Sequence, residues 1–190
     1  MSGAILLAAG SAARFGSDKR QERGDWGQPM LHRVLGLYRP VFDHLAVVIG
    51  PDDAFGEQSC TQFDAAALVN DESRLGMGRS LAVGMGWALE NGLESVVIGL
   101  ADMPWISEAT IRAVREAAGP HPVLPRWRGR EGFPRAIPAE YFTALTQLRG
   151  DQGAGAVIDW RSAYFLDVED PGIVQDVDRP ADLDAMKGVS

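Results

Sequence analysis

The sequence predicts an α/β fold, a three-layer α/β/α sandwich around a mostly parallel sheet. Three observations lead there. Short apolar runs alternate with segments of helical pattern along the chain, as strand–helix–strand units require. Two of those runs, Leu45–Ile49 and Val96–Leu100, are hydrophobic almost without interruption, the pattern of strands covered on both faces. The chain has 190 residues, 46% of them hydrophobic, so a single domain over residues 1–190 is expected. No internal repeat, low-complexity stretch or long linker divides it.

Each element has a local reason. Ala4–Ala8 reads as the first strand and breaks into a small-residue loop, Ala9–Lys19. Pro29, a good first-turn residue, leads the helix Met30–Tyr38. Leu45–Ile49 and Ala66–Val69 follow as strands. The helix Ser80–Glu90 stops at Asn91-Gly92. Within it Gly84 and Gly86 each cost stability relative to alanine, so close packing or ligand approach is expected at both. Ser95–Leu100 is the next strand. Ser107 then caps the helix Ser107–Ala118, with Glu108 in its first turn and Gly119-Pro120 as its stop. Pro122–Leu124 and Ala163–Leu166 read as later strands, and Tyr141–Leu148 as a helix closed by Gly150.

Composition removes whole classes of function. A net charge of -8 argues against a nucleic-acid-coating surface, which needs a basic face. The charge is uneven. Asp167, Glu169, Asp170, Asp176, Asp178, Asp182 and Asp184 crowd the C-terminal stretch, whereas Arg126, Arg128, Arg130 and Arg135 surround a single Glu131. Local basic islands in an acidic chain suit a small anionic ligand. Cys60 is the one cysteine, which excludes a disulfide framework and points to a reducing cytoplasm. With His32, His44 and His121 far apart in sequence, no zinc-ligand spacing appears. Met1 leads directly into the first strand and no apolar run approaches the ~20 residues of a membrane span, so neither a cleavable leader nor a membrane partner is expected.

In an open parallel sheet, ligands gather outside the carboxyl ends of the strands. Three candidate features fall there. The loop Ala9–Lys19 carries Gly10, Arg14, Gly16 and Lys19; exposed amides with nearby cations suit phosphate, and the bland alternative is an ordinary turn with solvated charges. Its spacing matches neither the Walker A loop nor G-x-G-x-x-G. Asn70–Ser80 is the second, where Gly76 and Gly78 permit close approach beside a helix N-terminus. The third is Asp102 at the end of a buried strand, either a magnesium ligand or a cap for the next turn. Asp151 is either a helix cap or a substrate contact. Asp178 caps the last short helix, or else Asp176 or Asp178 faces the metal. The five tryptophans read as core or loop packing, with Trp127, inside the arginine loop, the alternative candidate to cover a flat ring.

Taken in order, these segments resemble a known family. Leu7-Ala8-Ala9-Gly10 through Arg14-Phe15-Gly16 and Lys19 is similar to the LAAGxSxRMGxxK signature of nucleotidyltransferases. Gly27-Gln28-Pro29-Met30-Leu31, Gly76-Met77-Gly78-Arg79-Ser80-Leu81 and Ala101-Asp102-Met103-Pro104 resemble the GKPLL, GMxxSL and GDMP segments. Gly132-Phe133-Pro134, Gly150–Ala154 and Asp176–Pro180 resemble GHP, GDxGA and DIDTP, the last group closest to the molybdenum-cofactor cytidylyltransferase (MobA/MocA-like) branch.

The resemblance implies a nucleotide-diphospho-sugar-transferase-like fold. It also implies transfer of CMP from CTP to a phosphate-bearing acceptor, best matched by molybdopterin, with pyrophosphate released, Mg2+ as cofactor and a molybdoenzyme as client. Arg14 and Lys19 would hold the triphosphate, and Asp102 the magnesium. Leu7, Ala8, Ala9, Gly10, Gly76 and Ser80 would shape the nucleotide pocket, and the Arg126–Arg135 loop would face the acceptor. In this branch Ala-Ala-Gly marks cytidylyl and Ala-Gly-Gly guanylyl members, so Ala9 implies CTP over GTP. The same chemistry on a sugar or alcohol phosphate, or a non-catalytic nucleotide or pterin carrier, are the alternatives. Three departures stand out: Arg20–Asp25 is polar and expected to be mobile, Gln28 replaces a lysine, and Phe133 replaces a histidine.

Overall fold

The structure, a computed structural model, describes residues 1–10 and 18–183; Arg14 and Gly16 of the first loop lie outside the described residues. Eight strands form one sheet: β1 (Ser2–Leu7), β2 (His44–Ile49), β3 (Ala66–Val69), β4 (Ser95–Leu100), β5 (Val123–Trp127), β6 (Arg130–Glu131), β7 (Arg135–Pro138) and β8 (Tyr164–Asp167). Their order is β3-β2-β1-β4-β7-β5-β6, with β8 paired to β5. β1 is parallel to both β2 and β4, and β2 to β3; β7 runs antiparallel to β4 and β5. The helices are α1 (Met30–Tyr38), α2 (Ala54–Gln62), α3 (Met77–Glu90), α4 (Glu108–Ala117) and the short α5 (Phe142–Leu145).

Two apolar layers close the sandwich. Leu31, Leu35 and Tyr38 of α1 pack with Ile111 and Val114 of α4 and Cys60 of α2 on one face of the sheet. Leu81 and Met85 of α3 pack with Phe142 and Leu145 on the other. β1, β2 and β4 are buried through their middles on both faces, as their unbroken hydrophobicity predicts. Cys60 belongs to the packing: burial first, then the charges of Asp53 and Glu57, push its thiol up to about 11, which favours the neutral thiol over the thiolate.

Caps and glycines explain the boundaries. Ser107 accepts the Thr110 amide at the start of α4, and Asp170 reinforces it by taking the Ser107 amide, the Ser107 hydroxyl and the Thr110 hydroxyl. Gly84 of α3 lies against Ile5 of β1, and a Cβ there would stand 2.8 Å from the Ile5 Cγ2. Gly86 meets nothing within 4 Å, so no close neighbour explains that glycine.

Several expectations shift. α3 starts at Met77, three residues before Ser80, because Gly76 with φ 122° lets the chain turn there. The segment Tyr141–Leu148 shortens to the 3-10 turn Ala139–Tyr141 followed by α5. The stretch Arg20–Asp25 is tied down. The Met30 amide donates to the Glu22 carbonyl over 2.8 Å, Arg23 pairs with Pro29, and Trp26 packs edge-on against Trp105 at 5.9 Å. No helix is long and apolar enough to cross a membrane, among the described residues.

Candidate active site

The strand order places the site. β1 leads to β2 on one side, while β4, on its other side, leads away toward β5, so the chain leaves the two neighbours in opposite directions and a crevice opens between them. Their register is aligned, with Leu7 opposite Leu100, and the loops after both strands emerge side by side. Lys19 from one and Asp102 from the other meet in that crevice, the Lys19 ammonium donating to the Asp102 carboxylate over 2.7 Å.

A third segment crosses the same point. The Val177 amide donates to the Asp102 carbonyl, and Lys19 donates to the Val177 carbonyl, each over 2.9 Å. Val177 is fully buried against Met30, with the partly buried Trp26 and Trp105 packed on the pair, and that anchor fixes its two neighbours. The carboxylates of Asp102, Asp176 and Asp178 each offer an oxygen within 4.8 Å of the others. Lys19 reaches Asp178 at 3.9 Å as well. The surrounding chain, then the charges of Asp178 and Asp102, hold the Asp176 carboxyl above the usual carboxylate range. Crowded anions of this kind are relieved by a cation, and the all-oxygen donor set fits a hard divalent ion. The Asp102 carboxylate caps no helix; Ser107 has that role for α4.

Arg20 forms the floor of the adjacent cleft. Its Nε and Nη2 donate to the two Asp18 oxygens over 2.8 Å each, and Asp53 takes Nη1 and Nη2. Asp53 also caps α2 by accepting the Gly56 amide. Burial alone would weaken the charge of Arg20; the hydrogen bonds it donates to Asp18 and Asp53 outweigh it and raise the guanidinium's pKa. The same contacts hold the Asp18 carboxyl low against the effect of burial. The double fork is the physical reason this polar stretch is ordered.

Several cavities lie around this junction. One of about 510 Å3 runs from Ala8, Ala9 and Gly10 past Arg20 to Phe55 and Arg74. A second, about 360 Å3, continues it between Ala9, Gly10, Gly76, Ser80, Asp102 and Asp151. A third, about 380 Å3, lies on the far side of Leu7 and Met77 and is lined by Ile98, Phe133, Arg135 and Trp160. These volumes suit small-molecule ligands. Gly10 leaves open space where a Cβ would stand, which widens the cleft. Gly76 lines that cleft, and both Gly76 and Gly78 also pack closely: a Cβ on either would strike the segment 149–152, and the Gly78 amide donates to the Gly150 carbonyl over 2.9 Å. Asp151 thereby lines the cleft, and among the described residues no helix start takes its side chain as a cap. Ser80 is buried and accepts the Asn70 side-chain amide over 3.0 Å, tying the β3–α3 loop to the helix.

Residues 4–165 match the MobA-like NTP transferase domain. The chain belongs to that family. Among relatives, the bifunctional protein GlmU of Nitratidesulfovibrio vulgaris (strain DSM 19637 / Miyazaki F) is 32% identical over 58% of this chain, which spans a quarter (25%) of that protein's length. The purine catabolism protein PucB of Bacillus subtilis is 24% identical over 96% of this chain and 94% of its own. A probable molybdenum cofactor guanylyltransferase of Chloroflexus aggregans is 34% identical over 61% of this chain and 52% of its own. Rv0371c of Mycobacterium tuberculosis superposes with a TM-score of 0.78 at 21% identity, covering 97% of this chain and 96% of that one; it has also been solved in complex with manganese, where the TM-score is 0.66, the identity 20% and the coverage 88% and 86%. A CMP:2-keto-3-deoxy-manno-octonic acid synthetase complexed with CTP gives 0.70 at 12% identity, covering 97% and 95%. The fold is that of the nucleotide-diphospho-sugar transferases.

In this MobA-like domain the arginine loop splits up. Arg126 is paired with Asp167 at 2.8 Å, and the Arg128 guanidinium carbon lies 5.0 Å from the centre of the half-buried Trp127 ring. Arg135 alone of the four lines the apolar cavity. Residues that sequence reasoning passed over are Arg20, Arg74 and Trp160. Nothing near Arg20 in sequence signals Asp53, and Trp160 reaches the cavity only through the turn after α5. Asp176 and Asp178 carried a usable signal: two carboxylates spaced i, i+2 about an apolar residue share a face of an extended chain.

Proposed function

We propose that this chain transfers CMP from CTP to a phosphate-bearing acceptor, molybdopterin being the best match, with Mg2+ as cofactor and pyrophosphate as the leaving product. One observation carries the reading: Lys19 and the Asp102, Asp176 and Asp178 carboxylates converge at the sheet's switch point, between a cleft and an apolar cavity. The family supports the reaction class, and the CTP-bound structural neighbour and the molybdenum-cofactor relative support the two substrates. A phosphate oxygen of the acceptor attacks the α-phosphorus, the bond to the bridging oxygen breaks, and pyrophosphate leaves with its electron pair. No protein nucleophile is needed, because the catalysis is positioning and charge neutralisation.

Lys19 would neutralise the triphosphate oxygens as charge builds on the leaving group. The three aspartates would hold magnesium, which when bound bridges protein to phosphates and neutralises their charge. Ala8, Ala9 and Gly10 present backbone and a narrow surface to the base, and Ala9 gives the smaller pyrimidine the better fit. Arg14 would add a planar fork from the same loop. On this reading residues 1–190 act as one catalytic domain, with a molybdoenzyme as client.

The test is calorimetric titration of CTP and GTP with magnesium, followed by pyrophosphate release with molybdopterin. Tighter CTP binding with release is expected. A preference for GTP would overturn the cytidylyl assignment, and tight binding without release would favour a carrier. Asp102→Asn is nearly isosteric and should lower turnover by roughly a hundredfold or more while the melting temperature changes little. Lost stability with unchanged metal dependence would remove Asp102 from the metal site.

A further inference from the structure

Lys19 reaches the crevice from a short turn, and the side chain that follows it anchors that turn. Asp18 starts the 3-10 segment Lys19–Gln21, its carboxylate accepting the Arg20 amide over 3.1 Å. Two backbone bonds close the turn on itself: the Gln21 amide donates to the Asp18 carbonyl over 2.9 Å, and the Glu22 amide to the Lys19 carbonyl over 3.1 Å. Among the described residues, the ties from this turn to the walls of the crevice are therefore side chains. Lys19 leads one way, to the Asp102 carboxylate and the Val177 carbonyl. Arg20 leads the other way. It donates to the Ala8 carbonyl just past β1 over 3.3 Å and, through Nη1 and Nη2, to Asp53 at the start of α2.

The Arg20 and Asp53 side chains are only 15% and 10% exposed. Ion pairs buried this far add little stability over apolar packing, because desolvation offsets most of the attraction. What a planar guanidinium adds is direction. Its donors form a fixed fork, and here Asp18 takes Nε and Nη2 while Asp53 takes Nη1 and Nη2. Successive residues of a 3-10 turn project about 120° apart, so holding Arg20 against Ala8 and Asp53 turns Lys19 toward the opposite wall. The lysine stem is flexible and cannot set this by itself; the backbone beneath it must be placed. Asp53 is itself fixed, since the oxygen that takes Nη2 also caps α2 by accepting the Gly56 amide over 2.9 Å. A line of contacts thus runs from α2 through Asp53 and Arg20 to Lys19 and Asp102.

We infer that Arg20 is a positioning residue: clamped between Asp18 and Asp53, it orients the turn that delivers Lys19 to Asp102. It acts through Lys19 and touches no reacting atom. That Lys19 serves a triphosphate rests on the proposed function; that Arg20 places Lys19 rests on the clamp. The polar residue directly after Lys19 thereby has a reason, and so does Asp53, which the site needs as the outer anchor of the clamp.

Two measurements on the full chain test this, one with nucleotide and one without. The first is calorimetric titration of CTP with magnesium against Lys19→Ala, Arg20→Gln and the double variant. Arg20→Gln should weaken binding by about tenfold in the parent and by less than about twofold once Lys19 is alanine, because a residue acting through Lys19 then has nothing to place. Arg20→Lys should stay weak, since a point charge cannot reproduce the fork. Asp53→Asn keeps the oxygen that caps α2 and turns the other into an amide nitrogen facing Nη1, so it should show the same dependence on Lys19. The second measurement uses the two lysines of the chain, Lys19 and Lys187. They are acetylated with an N-hydroxysuccinimide ester, without nucleotide or metal, and the Lys19-to-Lys187 ratio is read by mass spectrometry. Arg20→Gln and Asp53→Asn should each raise that ratio about threefold or more, as a side chain 18% exposed in the parent opens to the reagent. A merely structural Arg20 would add its full loss of CTP affinity to that of Lys19→Ala. Additive losses, parent-like binding by Arg20→Lys, or a ratio unmoved in both variants each overturn the positioning role. The two readings fail separately. A parent that binds no CTP ends the triphosphate role of Lys19 and leaves acetylation to decide the clamp, whereas CTP turnover with an unmoved ratio sinks the clamp alone.

Discussion

Lys19 stands at the centre of the charge arrangement, and its substitution separates two effects that usually move together. Its ammonium touches Asp102 at 2.7 Å and approaches Asp178 at 3.9 Å, with its side chain only 18% exposed. On the proposed function, removing it deletes a partner for the triphosphate, and it also uncovers three crowded carboxylates. Lys19→Ala should therefore weaken CTP binding by about ten- to a hundredfold, the scale of one charge-assisted contact. The same variant should bind Mn2+ more tightly than the parent when no nucleotide is present, because a competing cation has left the aspartates. Calorimetry with each ligand alone checks both signs. Metal affinity that falls along with nucleotide affinity would mean that Lys19 holds the aspartates in place and does not compete for them.

At the scale of the element, α3 carries two glycines with opposite expected behaviour. Alanine has the better helical propensity by about 1 kcal/mol, and at Gly86 nothing within 4 Å opposes the added methyl. Gly86→Ala should raise stability by roughly that amount. At Gly84 the new Cβ would stand 2.8 Å from Ile5 Cγ2 in a fully buried strand, and overpacking of this kind costs about 1–3 kcal/mol. Gly84→Ala should thus be destabilising on balance. Urea unfolding of the pair reads the difference directly; two stabilised variants would show that α3 can ride outward from the sheet. The β5–β6 hairpin and β7 illustrate another element-scale rule. Gly132 separates them because a side chain there would strike the Ile173 carbonyl, so the strand breaks where the segment 171–174 packs across it.

At the scale of the whole molecule, pH acts through a contact between helices. His32 of α1 stacks on Phe55 of α2 at 5.5 Å and donates to the Ser59 hydroxyl oxygen over 3.0 Å. Ser59 in turn donates to the Phe55 carbonyl. Burial first, then the charge of Arg23, lowers the His32 pKa, so the folded protein favours the neutral ring. The unfolded chain takes up the proton at the ordinary histidine value near 6.5. It follows that this stability is fully present above that value and is lost as pH falls through it toward the lower folded value. Between about pH 7.5 and pH 5.5 the melting temperature should fall, and His32→Gln should lessen the fall by up to a few degrees. Identical pH profiles for the two proteins would remove His32 from the account.

What the sequence determines by itself is whatever local pattern and short-range chemistry encode. The buried strands β1, β2 and β4 are legible because a strand covered on both faces must be apolar throughout. The capped start of α4 and the extent of α1 are legible because Ser107 and Pro29 act within a few residues. So is the meeting of Lys19 with Asp102, since each follows a buried strand and such loops emerge at the same end of a parallel sheet. Other features exist only once distant segments meet. α2 is absent from the pattern because only Gly56, Ser59 and Cys60 of its nine residues are buried, too few to mark a helical stripe. β7 is four residues long and becomes a strand by pairing with β4. Arg20 reads as a loose surface charge until Asp53, 33 residues away, closes on it. Arg135 belongs to a loop of arginines in sequence and to an apolar cavity in space, with Trp160 brought from the far side of α5. The reason is the same in each case. Periodicity and capping are set by neighbours in the chain, whereas the partner of a charge is whatever the packed sheet brings within a few ångströms.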